Sequence, residues 1–526
     1  MYLPIFPEPN DTVREILSGI LKKKVRLWSE GGQLRYQAPK GALAPEDLLA
    51  LRQHRGDIVA LLAQVSDVGE DEIPLRPREH SNTIPVTSSQ LMHWSQYKLT
   101  VQPAIRQVAA AVHLAGKLNL NALEHATTEV IRRHEALRTQ IAEYDGILSQ
   151  VVCAPSNFHL NVEDLIREPA STRRRNIINR IQSIIMEPVN PASDPLFSLQ
   201  ILKVNEYQHV LVVAMEHMIS DGASLHIIMQ ELFSAYVSAF RHMPFQLPEV
   251  PIQLGDYAVW QNKNKRMWLQ KHVPYWSQRL AGARKVNFPV DQSSLAGSGW
   301  SSVSVWIDRN LKDNLLKFSR QQKTTLVMSM FTAYAALVLR WCATSNAVFK
   351  FQIDGRFNAV LQNTVGYLSS ALYLRLELTK HDTYMDLSKK VTDEFCSAYL
   401  RADSSHLATE TELAATTLFN WIPGSSDDYA STIDLPENPL VCTPFNFEHP
   451  MLKNMQITHE PTIVLKEADK GVVADIEFPL SRHTPESMNA FARAFLRSVA
   501  ALVTSPTQLI EETPLLQPHP VTGLSV

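Results

Sequence analysis

The chain has 526 residues, 45% of them hydrophobic and 20% charged, with a formal net charge of −3. That length accommodates two or three domains, the composition is that of an ordinary globular protein, and the charge excludes a bulk attraction to nucleic acid or membrane. Four cysteines, Cys153, Cys342, Cys396 and Cys442, are far apart and form no CxxC pair, which argues against a disulfide framework or a zinc site. With an N-terminus that lacks a basic segment followed by an apolar core, they point to a reducing, cytoplasmic setting. The most apolar helical stretch, Thr324 to Cys342, is interrupted by Ser329, Thr332 and Arg340 and reads as a core helix rather than a membrane span.

Residues 1–64 read as a small separate unit. Thr12 to Leu21 is a short amphipathic helix, with Val13, Ile16, Leu17 and Ile20 on one face. Val25 to Ser29 and Gln33 to Tyr36 alternate around Gly31-Gly32, the pattern of a β-hairpin. Pro45 opens a second helix to about Leu62. Lys22, Lys23, Lys24, Arg26, Arg35 and Lys40 face one acid, Glu30, over this stretch. They form either a solvated basic face or a docking surface for an acidic peptide, and an exposed hairpin edge invites a partner strand. Residues 65–86 are acidic and then proline-containing, without apolar period, and read as a linker.

Ordered sequence restarts at Thr87. Residues 87–262 read as one α/β lobe, with helices Leu120 to Glu135 and Thr172 to Met186 and strands near Leu148 to Val152, Leu196 to Val204 and Val210 to Met215. Residues 263–510 read as a second lobe of similar elements, and 511–526 as a tail. The stretch His209 to Tyr236 organises the chain. A short β-branched strand ends at Met215, Glu216 to Gly222 forms a turn, and Leu225, Ile228, Met229, Leu232 and Tyr236 recur at helical spacing. Asp221 suits the helix N-cap. His217 therefore sits at the mouth of a strand, and a histidine there has a pKa suited to taking a proton from a nucleophile in water. The structural alternative is a strand-end histidine with no chemistry.

Glu216-His217-Met218-Ile219-Ser220-Asp221-Gly222 resembles the HHxxxDG signature of the condensation domains of nonribosomal peptide synthetases, in the chloramphenicol-acetyltransferase-like superfamily, with Glu216 in place of the first histidine. Ser88 to Trp94 is similar to that family's SxAQxxxW motif, Arg133 to Thr139 to RHExLRT, and Asp256 to Trp260 to DYAxW. Val365 to Arg375 is similar to VGxFVNTLxLR, with Ser370-Ala371 at the asparagine-threonine pair. The resemblance spans about residues 85–510. Val25 to Leu43 resembles the TubC-like β-hairpin docking domains.

These resemblances imply two chloramphenicol-acetyltransferase-like lobes in a V shape around a central tunnel, preceded by a small α-β-hairpin-α docking domain. They imply His217 as the base or positioning group, Asp221 in a structural ion pair with Arg138, and backbone room at Gly222. Glu216 either approaches His217 and raises its pKa or faces away and bonds backbone, the second being favoured. Ser224 lines a channel or caps the helix, Tyr367 and Ser370 face the cleft, and Trp260 packs in the core. No metal or resident cofactor is expected. Substrates would arrive on the phosphopantetheine arms of carrier proteins, and the docking unit would bind a C-terminal linear motif of an upstream synthase subunit. With no P-loop or carrier serine motif, a free-standing condensation enzyme is expected, releasing a chain from a hybrid polyketide assembly line as an ester or amide. A non-catalytic recruitment module of the same fold is the alternative that Glu216 keeps open. The absence of a DFGWG motif disfavours a coenzyme A-dependent acyltransferase, and the retained His217 disfavours heterocyclisation.

Overall fold

The computed structural model describes Ile16 and residues 25–30, 33–37, 43–59, 73–79, 83–99, 105–291, 299–402, 404, 417–422, 431–433, 435, 439–447, 460–468 and 470–515. The expected helix from Thr12 to Leu21 lies, Ile16 apart, outside these residues, as do Lys22, Lys23, Lys24 and Lys40. The hairpin is present as β1 (Arg26–Glu30) and β2 (Gln33–Gln37), antiparallel, with Trp28 opposite Arg35. It is followed by α1 (Pro45–Gln53). Val25, Leu51 and Ile58 are buried here, with Leu27, Leu34 and Leu43 packed on them. So few side chains make a thin core, and Leu400 of the second lobe packs against it.

Residues 73–79, expected as linker, lie against the larger body. The Arg78 guanidinium reaches Asp256 at 2.7 Å and Glu135 at 2.8 Å, while Trp260 Nε1 and Asn264 Nδ2 donate to the carbonyl of Ile73 at 2.7 and 3.1 Å. Polar anchors hold this segment, which is why no apolar period marks it.

The first lobe follows. β3 (Ile84–Pro85) pairs with β6 (Ile147–Val152), which pairs with β5 (Thr139–Tyr144). α2 (Ser88–Leu99) precedes β4 (Val108–Ala115), and α3 (Leu120–Arg133) precedes β5. After β7 (Asn161–Asp164) come α4 (Ala170–Met186), β8 (Phe197–Asn205), β9 (Gln208–Met215), α5 (Gly222–Phe240) and α6 (Leu254–Lys271), and then α7 (Val273–Leu280), whose Trp276 and Leu280 are buried in the second lobe's core. β9 is buried on both faces. Leu211, Val213 and Met215 meet the cluster under α3 and α5, while Val210, Val212 and Ala214 meet Ile177, Ile181, Ile184 and Ile185 of α4. Such double burial explains its unbroken apolar run.

In the second lobe β10 (Trp300–Asp308), α8 (Arg309–Gln321), α9 (Leu326–Trp341), β11 (Asn346–Ile353), β12 (Ser370–Glu377) and α10 (Tyr384–Tyr399) come first. β13 (Leu418–Ile422), β14 (Ser431–Ile433), β15 (Leu440–Pro444), β16 (Thr462–Ala468), β17 (Gly471–Pro479) and α11 (Pro485–Thr504) complete it. The sheet runs β10-β17-β16-β13-β11-β12, with α9 buried in its core as expected. β14 and β15 leave this lobe and extend the other sheet, whose order is β14-β15-β4-β9-β8-β7. The loop from Asp354 to Ser369 crosses as well, since Leu361, Val365 and Leu368 belong to the first lobe's core. The lobes are thus joined by a strand pair and a buried loop. Among the described residues no single helix is long and apolar enough to cross a membrane.

Removing the Arg78 side chain leaves Asp256, whose side chain is 6% exposed, without its cation. Arg78→Ala is expected to lower unfolding free energy by about 1–3 kcal/mol in urea titration. An unchanged midpoint would mean the 73–79 segment is not anchored.

Candidate active site

β9 ends at Met215, and Glu216 to Ser220 turn sharply before Asp221 caps α5. His217 lies in the turn, partly exposed, with its Nδ1 2.9 Å from the carbonyl of Ser220. A carbonyl only accepts, so Nδ1 carries the hydrogen and Nε2 presents a lone pair. Among the described residues nothing hydrogen-bonds Nε2. Burial first, and then nearby His93, hold the imidazole below its ordinary value, with Glu216 and Asp221 pulling the other way. His217 is accordingly neutral near pH 7, the form a proton acceptor needs.

The turn is held from two sides. From α2, the buried Gln90 donates from Nε2 to the carbonyl of Met218 at 2.8 Å, and its Oε1 accepts from the Thr87 amide at 2.7 Å. Gln90, in the SSQ stretch at the start of α2, thus caps its own helix and grips the histidine turn. From the crossing loop, Arg356 clamps Asp221. Its Nη1 and Nη2 each lie 3.0 Å from one carboxylate oxygen, and both side chains are almost fully buried. The amides of Ser224, Leu368 and Ser369 donate to the same carboxylate at 2.8, 3.1 and 3.0 Å. Burial alone would raise the Asp221 pKa, but Arg356 and these donors outweigh it and hold the carboxyl below the usual range. Folded Asp221 keeps its charge to lower pH than in the unfolded chain. Its contribution is complete above about pH 4 and is lost as the pH falls through the folded-state value.

The ion pair expected between Asp221 and Arg138 is therefore corrected. Arg138 donates from Nη1 to the carbonyl of Cys153 and ties β5 to the end of β6. At the start of its motif, His134 Nε2 and Arg133 Nε meet Glu231 of α5 at 2.7 and 3.0 Å. The guanidinium that Asp221 uses comes from the second lobe. Sequence reasoning misses Arg356, although the Gly355 before it is a signal. Gly355 has φ +69°, and a Cβ there would lie 1.8 Å from the carbonyl oxygen of Leu368. Only glycine permits that tight approach.

Ser224 neither lines a channel nor supplies the cap. Its fully buried hydroxyl sits 2.7 Å from Asp221 Oδ1, 3.0 Å from Arg356 Nη2 and 3.0 Å from both backbone N and O of Gly366. It welds α5 to the crossing loop. Gly222 has no atom within 4 Å of an added Cβ, so open space lies beside it. Tyr367 reaches His217, with ring centroids 4.2 Å apart, and burial pushes its phenol up, so it remains a donor at neutral pH. Ser370 opens β12 opposite Ile353 and belongs to the ladder. Trp260 is buried, as expected.

Glu216 faces the interior. One oxygen accepts the Met218 amide, which is the expected backbone bond. The other accepts from the Tyr97 hydroxyl and lies 3.2 Å from His93 Nε2, both on α2. His93 and Tyr97 escape sequence reasoning, since i, i+4 aromatic spacing looks like ordinary helix packing. Of the basic hairpin residues, Arg26 lies in β1 and Arg35 in β2, the latter exposed. Among the described residues no group of three or more metal-ligating side chains is gathered.

A condensation-domain family model matches residues 80–520, and a TubC N-terminal docking-domain model matches residues 13–64. The chain belongs to the condensation-domain family, whose members act as acyltransferases in nonribosomal peptide synthetases. It is similar to gramicidin S synthase 2 of Brevibacillus brevis, at 26% identity over 466 residues, which is 85% of this chain and 10% of the synthase. The chain thus spans about a tenth of the length of such curated relatives. The first condensation domain of the calcium-dependent antibiotic synthetase, solved with a substrate analogue, superposes with a TM-score of 0.66 at 16% identity, covering 84% of this chain and 100% of that one. The X-domain from teicoplanin biosynthesis, solved in complex with OxyB, gives a TM-score of 0.70 at 18% identity, covering 85% and 99%. These likenesses establish the two-lobe fold.

Two substitutions test the site's construction. Arg356→Met leaves a buried carboxylate without its cation and is expected to cost about 3–5 kcal/mol of unfolding free energy, against under about 1.5 kcal/mol for Arg138→Ala, which loses one hydrogen bond. The reverse ranking by denaturant titration would restore the Asp221–Arg138 pair. Gly222→Val is expected to leave the melting temperature within about 2 °C, since nothing opposes its Cβ. A larger drop would mean that the turn needs glycine at this position.

Proposed function

We propose that this chain transfers an acyl, polyketide or peptidyl group from a carrier-protein thioester to a hydroxyl or amine acceptor, releasing the chain from a hybrid polyketide/nonribosomal assembly line as an ester or amide. The observation that carries this reading is the neutral His217 imidazole, its Nδ1 committed to the Ser220 carbonyl and its Nε2 open. In the reaction, Nε2 takes the proton of the acceptor's O–H or N–H as the new bond to the thioester carbon forms. The tetrahedral centre then collapses, the C–S bond breaks, and the thiolate of the carrier's phosphopantetheine arm leaves with that proton. Tyr367 stands beside His217 as a protonated donor for the thioester oxygen. No resident cofactor takes part, since the arms arrive with the carrier proteins.

The TubC-type unit supports binding of a C-terminal linear motif of an upstream synthase subunit. Arg26 and Arg35, with Lys22, Lys23, Lys24 and Lys40 beside them in sequence, supply the charge for an acidic tail. A second reading, recruitment without catalysis, is favoured by Glu216 at the first-histidine position and by likeness to an X-domain solved with OxyB. Free Nε2 at His217 argues for transfer.

The test presents the full chain with a panel of acyl-loaded carrier proteins and free amine and hydroxy-acid acceptors, read by intact mass. Acyl loss with a new ester or amide supports transfer, and its absence across the panel moves recruitment to first place. His217→Ala is expected to lower kcat about 10²- to 10⁴-fold with the fold intact. The acid limb of wild-type kcat/KM is expected below about pH 6.5, because burial disfavours the protonated imidazole. Wild-type rates in His217→Ala would remove the base. Deleting residues 1–64 is expected to raise KM for subunit-borne substrate while sparing small pantetheine thioesters, with an effect that salt reproduces. Equal loss on both substrates would contradict a docking role.

A further inference from the structure

The Glu216 carboxylate is fully buried, and the site's base does not use it. It meets the Met218 amide, the Tyr97 hydroxyl and His93 Nε2, and of these three His93 is the one that can carry positive charge. By contrast, the Asp221 carboxylate is matched by a guanidinium. A carboxylate only accepts, so Nε2 of His93 donates its hydrogen to Glu216 and Nδ1 presents the lone pair. Among the described residues nothing hydrogen-bonds Nδ1. The imidazole ring lies 5.6 Å from that of His217 and 6.0 Å from that of Tyr367, with all three rings gathered at one place. A carboxylate behind an imidazole fixes its tautomer and stabilises the imidazolium that forms on accepting a proton. His217 has only a carbonyl behind it.

We propose that His93, backed by Glu216 and Tyr97, is a second imidazole of the transfer site, a positioning residue that receives the proton displaced from the acceptor and returns it to the departing thiolate. The proposal rests on the transfer reading above. Balance is kept within the site: the acceptor's X–H bond breaks as the C–X bond forms, His217 passes the proton on to His93 Nδ1 directly or through one water, and the proton returns to sulfur as the C–S bond breaks. No oxidant or further reactant is needed. Glu216, which stands where the signature has a histidine, is then the group that brings a histidine to the site from α2. The charged and titratable groups facing His93 are Glu216 and Tyr97, the His217 and Tyr367 rings, and beyond them the Asp221–Arg356 pair. Proximity of the two imidazoles makes a second proton harder to load than the first, which suits a relay that carries one at a time.

The experiment uses the full chain with labelled histidine, His93 being identified by its loss in His93→Gln. Nitrogen shifts are expected to show hydrogen on Nε2 of His93 and none on Nδ1. With an acyl-carrier substrate that wild type turns over, His93→Gln is expected to lower kcat about tenfold or more with KM within twofold. Residual transfer in His217→Ala should disappear in the double variant. Where His93→Gln proves unstable, the isosteric Glu216→Gln carries the kinetic arm, with the same loss of kcat expected. Hydrogen on Nδ1 of His93 instead of Nε2, or full-rate turnover by a folded His93→Gln enzyme, overturns the relay while leaving His217 as the base. A wild type inactive across the whole panel overturns the transfer reading and the relay with it.

Discussion

The bidentate pair between Asp221 and Arg356 is the contact on which the site depends. Each member is nearly buried, in two hydrogen bonds of 3.0 Å, and each comes from a different lobe. Taking two charges out of water is costly, and such a pair persists only when every lone pair and hydrogen is satisfied. Here Asp221 is saturated by the amides of Ser224, Leu368 and Ser369 and by the Ser224 hydroxyl, while Arg356 also donates to the carbonyls of Asp354 and Thr364. The network joins the N-terminus of the helix after the His217 turn to a loop of the opposite lobe. His217, four residues before Asp221, is thereby set at the junction of both lobes.

That arrangement accounts for the division of labour within the signature. Asp221 is spent on architecture, while Nε2 of His217 keeps no partner among the described residues. Tyr367 comes from the same crossing loop that supplies Arg356, so the clamp that orders the turn also brings a phenol to the imidazole. Gln90 holds the turn from the other side. Acyl transfer needs a base, a donor and a dry approach placed together, and positioning of this kind is worth several orders of magnitude in rate.

Much of the fold is legible in sequence because burial imposes period. β9, α3, α4 and α9 are readable from β-branched runs or helical spacing, and each is buried along the corresponding face. The hairpin announces itself through Gly31-Gly32. What escapes are elements defined by long-range partners. β14 and β15 join the sheet of the other lobe, and residues 73–79 are held by polar anchors on α6, so neither leaves a local pattern. The site divides likewise. His217, Asp221 and Gly222 form one short motif, and Tyr367 lies in another. Arg356 acts 135 residues from Asp221, where no spacing rule reaches, and so sequence reasoning looks for the cation at Arg138. Glu216 bonds backbone as expected, but its link to His93 and Tyr97 arises from α2 packing over the turn.

The most direct test of this construction is a double-mutant cycle for unfolding free energy between Asp221→Asn and Arg356→Met. The clamp predicts a coupling of about 2–3 kcal/mol, with the double variant far less damaged than the sum of the singles. Additive losses would show that the two side chains do not support one another across the lobes, and the turn that presents His217 would need another foundation.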